Sequence, residues 1–148
     1  RKAARAFVER TAQDSREFAV IAFPGGVKTG LTNQRDRIDT AISALTPIGS
    51  TPMHTGMAQA RDALKGKAGV QRVYVILADG HPDDPAATAA EAHRIKRMGG
   101  RIITIGVGRQ VKQEFLTSLC SNPSDYHHCR ESIELEGTFI NLATQLGG

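Results

Sequence analysis

Two short loops hold the residues best suited to chemistry. One is Gly49-Ser50-Thr51-Pro52-Met53 and the other is Ala78-Asp79-Gly80. A hydroxyl and a carboxylate brought together are hard oxygen donors. Such donors suit Mg²⁺ or Ca²⁺, and Mg²⁺ keeps several waters and takes few protein groups. Two oxygens do not complete a site, so an ion needs more ligands from elsewhere. Ser50 lies in the first loop, His54 and His81 flank the two loops and Asp83 follows Asp79 by four residues; all four are candidate contacts for a partner. Each feature also has a plainer use. Asp-Gly after a strand is an ordinary turn, and Thr51 can cap a helix that begins at Pro52 or Met53. Asp83 reads first as a solvated loop acid.

Other chemistries lack their residue sets. Cys120, His127, His128 and Cys129 do not have the two-by-two spacing of a common zinc site. Gly106-Val107-Gly108 lacks the third glycine and the lysine of a phosphate loop. No base, nucleophile or oxyanion set accompanies Asp79, so a binding module is expected here and not an enzyme. Cys120 and Cys129 lie nine residues apart in a turn-rich segment. A disulfide closing that loop is expected, and it implies an oxidising compartment; two free thiols are the alternative.

Asp79 ends the run Val73-Tyr74-Val75-Ile76-Leu77-Ala78. Its β-branched and aromatic residues favour strand over helix. A near-continuous apolar run suggests a strand covered on both faces, as in a parallel sheet between helices. Ligands of such sheets sit at the carboxyl ends of the strands, where Asp79 stands. Around this strand the chain alternates. Residues 1 to about 13 read as a helix. Glu17 to Phe23 and Val27 to Leu31 read as a hairpin around Pro24-Gly25-Gly26. Helices follow over Asp36 to Leu45 and Met53 to Lys65. Asp84 is placed to cap a helix that starts at Pro85, buries Ala92, Ile95 and Met98, and stops at Gly99-Gly100. Arg101 to Gly108 is a second buried strand. A short helix covers about Lys112 to Leu119, a short strand lies near Tyr126, and a last helix carries Phe139, Leu142 and Leu146 on one stripe. Strands alternating with helices, plus one hairpin, predict an α/β fold with a mostly parallel sheet and an antiparallel edge.

The 148 residues suit one domain, with no linker or internal repeat. No apolar run approaches the roughly 18 residues of a membrane-spanning helix. The net charge of +4 comes from scattered Lys and Arg. Basic residues are not interleaved with aromatics as in a base-stacking platform, so nucleic acid is not an expected partner.

The order Gly49-Ser50-Thr51-Pro52-Met53, helix, Val75-Ile76-Leu77-Ala78-Asp79-Gly80, helix, Arg101-Ile102-Ile103-Thr104-Ile105-Gly106-Val107-Gly108 resembles the von Willebrand factor type A (vWA) domain family. Phe18 to Phe23 and Leu31-Thr32 look like that family's second strand and the end of its hairpin. The resemblance covers essentially the whole chain. It implies a doubly wound, Rossmann-like sheet with helices on both faces. It also implies a metal-ion-dependent adhesion site (MIDAS) holding Mg²⁺, Mn²⁺ or Ca²⁺. Thr51 and Asp79 match two of the family's metal ligands. The family's Asp-x-Ser-x-Ser motif and the central strand before it have no match in residues 1–148. The reading is therefore a single vWA-like domain truncated at its N-terminus, with the first strand supplied by an upstream segment or by another chain. The implied function is adhesion to a protein ligand through an acidic side chain, outside the cell, at its surface or in the periplasm. The alternative is a cytoplasmic vWA subunit acting with an AAA-type ATPase, as in chelatase and MoxR-type pairings.

Overall fold

The computed structural model describes Arg5, Val8 and residues 18–22, 26–43, 52–64 and 71–146. Of the helix predicted over residues 1–13, Arg5 and Val8 are helical and Val8 is buried; the rest lies outside the described residues. Strands β1 (Phe18–Ala22) and β2 (Gly26–Thr32) pair antiparallel, as the hairpin reading expects. Helix α1 (Arg35–Ser43) buries Ile38 and Ala41.

The second part of the chain builds the sheet that carries Asp79. Helix α2 (Met53–Ala63) is followed by strand β3 (Val73–Ala78), helix α3 (Pro85–Arg97) and strand β4 (Arg101–Val107). Helix α4 (Gln113–Leu119), strand β5 (Tyr126–Cys129) and helix α5 (Leu135–Gln145) complete it. Strands β3, β4 and β5 are parallel in that order, with Val73 opposite Arg101 and Thr104 opposite Tyr126. Parallel neighbours need crossovers, and α3 and α4 supply them. The period-two alternation then sends side chains to two cores. Tyr74, Ile76 and Ile102 pack with Met53, Met57, Ala92, Ile95, Leu116 and Leu119 on one face. Ile103 and Ile105 pack with Cys129, Phe139 and Leu142 on the other. Helices therefore cover both faces, and the fold is the doubly wound α/β class. Each fully buried Ile of β4 contributes about 1.5–3 kcal/mol. No helix among the described residues is long and apolar enough to cross a membrane.

Local signals set the boundaries of α3. Asp84 is its N-cap, accepting the Ala87 N–H at 2.9 Å, and Pro85 occupies the first turn, where its missing N–H costs nothing. Gly99 takes φ +84 and closes the other end. The predicted inward Met98 is the exception. It sits at the C-cap, one step past the last helical turn, and is 40% exposed while Ala92 and Ile95 are buried. Helix α2 starts at Met53 with Pro52 at its N-cap position and no side-chain cap. Thr51 itself lies outside the described residues.

The expected Cys120–Cys129 disulfide is not formed, and both residues are free, buried thiols. The physical reason is the sheet between them. Cys120 follows α4 on the first face and meets Thr104 Oγ1 at 3.0 Å. Cys129 belongs to the core on the second face and meets Thr138 Oγ1 at 3.0 Å. Burial raises the Cys120 pKa above the ordinary thiol value.

Helix α2 ties the molecule together. It packs on β1 and β2, on α3, and through Met53 and Met57 on the core of the three-stranded sheet. Yet among the described residues no strand pairing joins the hairpin to that sheet. Among the described residues β1 pairs with β2 alone and β3 with β4 alone.

The seam between α2 and α3 holds a buried carboxylate. Glu91 is 6% exposed and receives Arg61 Nε at 3.0 Å, Arg61 Nη2 at 3.1 Å and Arg94 Nη1 at 2.9 Å. Burial works to raise the Glu91 pKa, but the hydrogen bonds and charges of the two guanidinium groups outweigh it and leave it below the ordinary value. A carboxylate depressed on folding stabilises the protein above its unfolded pKa of about 4.3. That contribution is lost as pH falls through the folded value. Glu91→Gln should cost about 1–2 kcal/mol at neutral pH, because both arginines reach water and can rehydrate. Thermal melts of both proteins from pH 7 to pH 3 check this: the gap in Tm should narrow on acidification. A gap that stays constant would contradict the assignment.

Candidate metal centre at the carboxyl edge of the sheet

Three loops leave the carboxyl ends of β3, β4 and β5. The loop after β3 carries Asp79, whose side chain is exposed. Its Oδ1 accepts the N–H of His81 at 2.9 Å. This contact within the loop holds the carboxylate at the strand end. Gly80 makes the turn possible. It takes φ +85, and a Cβ there would lie 2.9 Å from the Lys112 carbonyl oxygen and 3.2 Å from Leu116 Cγ.

The loop after β4, residues 108–112, is fastened to both neighbours. Towards β3, the Lys112 N–H donates to the Asp79 carbonyl at 2.9 Å, and His81 Nε2 lies 3.0 Å from the Gln110 carbonyl. Towards β5, the Gly108 N–H donates to Cys129 O at 2.9 Å, and His128 Nε2 is 2.9 Å from Gly108 O. Arg109 reaches Glu131 at 2.6 Å and 3.0 Å. This role for residues 108–112 was not read from the sequence. A short connection between a buried strand and a helix was the available signal.

The sequence-named residues are thus distributed as follows. Asp79 and His81 are joined on one loop, with the exposed Asp83 further along it. The His81 ring is engaged by Gln110, so it serves as a clamp between loops. His54 faces sideways. It lines a groove of about 360 Å³ between α2 and α3 together with Gln59, Glu91 and Arg94. Its Nδ1 is buried there without a hydrogen-bond partner. Ser50 and Thr51 lie outside the described residues.

The donor set can be tested against a divalent ion. Asp79 fits in kind, as a hard oxygen donor at an exposed strand end. It does not suffice in number. Among the described residues no group of three or more His, Cys, Asp or Glu side chains is placed to hold a metal ion.

The sequence pattern of the von Willebrand factor type A domain matches residues 1–138. The chain belongs to that family. Solved structures agree on the vWA fold. The vWF domain of the type V pili tip protein Mfa5 from Porphyromonas gingivalis superposes with a TM-score of 0.87 at 13% identity, covering 99% of this chain and 86% of that one. Proximal thread matrix protein 1 from the mussel byssus, with a zinc-occupied MIDAS motif, gives 0.79 at 22% identity, covering 99% of this chain. The manganese-loaded TRAP protein of Plasmodium vivax gives 0.69 at 15% identity, covering 93% of this chain and 63% of that one. The vWA chain spans about two fifths of the mussel protein, 42% of its length. No curated protein matches the sequence closely enough to count as a relative.

Proposed function

We propose that this vWA domain is a protein-binding, adhesive module and not an enzyme, and that it engages an acidic side chain of its partner at the carboxyl edge of its sheet through a divalent ion. The observation that carries this reading is Asp79. It is an exposed carboxylate at the end of a buried parallel strand, held at one oxygen by the His81 N–H. Asp79 and Thr51 hold the ion, and Ser50, His81 and Asp83 frame the contact. The remaining ligands come from an Asp-x-Ser-x-Ser strand outside residues 1–148, seated between β1 and β3. Among the described residues β1 pairs with β2 alone and β3 with β4 alone, and helix α2 packs across both parts; both support that seat. The ion supplies a Lewis-acidic position for an incoming carboxylate, because few ligand charges leave it electrophilic.

The zinc-occupied mussel protein and the manganese-loaded Plasmodium protein support a divalent ion in general, and the pili tip protein supports an extracellular or cell-surface setting. Calorimetric titration of the full-length protein with Mg²⁺ and Mn²⁺ tests the site. Micromolar to millimolar binding that Thr51→Ala and Asp79→Ala both abolish is expected. Unchanged binding in both variants would remove the metal-dependent reading.

A second reading, an intracellular vWA subunit working with an AAA-type ATPase, is favoured by one observation. Cys120 and Cys129 are free thiols, as is usual in a reducing compartment.

A further inference from the structure

We propose that Ile133 is the apolar anchor of the partner contact, a specificity-determining residue that lies beside the proposed ion site; this rests on the function proposed above. Ile133 is 87% exposed. It sits in the 3₁₀ turn Ser132–Glu134, between β5 and α5, and therefore on the same carboxyl edge as Asp79. Met98 is the other exposed large apolar side chain among the described residues, and it lies at the opposite edge, where α3 ends.

Ile133 is held in place, not carried on a loose tail. Glu131 on one side is fixed by Arg109, and its carbonyl accepts the Glu134 N–H at 3.0 Å. The Glu134 carboxylate in turn takes the Arg130 N–H at 3.4 Å. The side chain is thus presented to water at a fixed place, flanked by Arg130, Glu131 and Glu134.

Geometry then makes the contact hard to avoid. Neighbouring strands are about 4.8 Å apart, so the ends of β3 and β5 are about 10 Å apart. A protein partner of standard size covers about 800 Å² per side, a patch about 16 Å in radius. A partner centred on Asp79 covers the turn that carries Ile133. Its contact surface combines one carboxylate with one large apolar side chain about 10–15 Å away, or about three to five residues along an extended segment. An apolar side chain that such a partner closes over contributes to binding through the apolar area it removes from water.

The test uses the full-length protein and a displayed random-peptide library, with capture in Mg²⁺ and elution by chelator. Eluted peptides should carry Asp or Glu and, about three to five residues away, a large apolar residue. Binding of the best peptide, read by fluorescence anisotropy, should weaken about tenfold in Ile133→Ala and further in Ile133→Lys. Met98→Lys should bind as the parent does. Thermal melts confirm that the variants are folded, and calorimetry with Mg²⁺ reports separately on the ion. Peptides with an acid alone, bound within twofold by Ile133→Lys, would overturn the anchor and leave the ion site standing. Capture indifferent to chelator, by peptides without an acid, would overturn the ion site as well.

Discussion

Asp79→Asn should weaken divalent-ion binding by the full-length protein about 100-fold or more, while shifting its Tm by no more than about 2 °C. The exchange is nearly isosteric. Asn retains an oxygen that accepts the His81 N–H, so the loop after β3 keeps its shape. The loss is one negative charge at an exposed position. Outer partners of a metal ligand are worth about 10–100-fold in affinity, and a charged ligand is worth no less. Exposed substitutions away from caps and cores stay within about 0.5 kcal/mol, which sets the limit on Tm. Calorimetry with Mn²⁺ and a thermal melt of the same sample decide it. Full metal affinity in the variant would move the site away from Asp79. A large drop in Tm would make Asp79 a folding residue.

Gly106→Ala should lower stability by about 2 kcal/mol, a fall of about 4–8 °C in Tm. Elsewhere the same change tends to stabilise by about 0.5–1 kcal/mol, because Gly gives up more freedom on folding. Gly106 has no room for it. A Cβ would lie 2.6 Å from Val111 Cγ1, 2.8 Å from the Tyr126 hydroxyl oxygen and 3.2 Å from Leu116 Cδ1. Carbon contacts are best at about 3.5–4.0 Å, so β4, α4 or the Tyr126 ring must shift. Gly137 in α5 is the built-in comparison, since a Cβ there meets nothing within 4 Å. Gly137→Ala should gain what Gly106→Ala loses in sign, by about 0.5–1 kcal/mol. Chemical denaturation of both variants measures the pair. Equal effects at the two glycines would show that backbone freedom, not space, governs Gly106.

Features that act over a few residues were legible in the sequence. Asp84 before Pro85 and Gly99 after Arg97 set the bounds of α3, and each does so by a bond or angle of its own. The apolar runs from Val73 and Arg101 gave β3 and β4, and Asp79 at a strand end followed from them. Features that depend on which face a residue takes were not legible. Cys120 and Cys129 are close in sequence, but β4 and β5 separate their environments. Met98 keeps the spacing of Ile95, yet the helix has ended before it can turn inward. Glu91 finds Arg61 thirty residues away, a pairing that only the packing of α2 on α3 creates. A sign of it was present: Glu91 falls on the stripe of Thr88, Ala92 and Ile95, where a carboxylate requires a cation.

The middle loop of the edge, Gly108 to Lys112, carries a consequence for how this surface can diversify. It is bonded on one side to Asp79 and His81 and on the other to His128, Cys129 and Glu131. Lengthening or trimming it breaks attachments on both flanks at once. New partner preferences are therefore cheapest to acquire by exchanging side chains such as Ile133 on the outer turn, with loop lengths kept as they are. A library built on this domain should randomise identities along the edge and leave the central connection untouched.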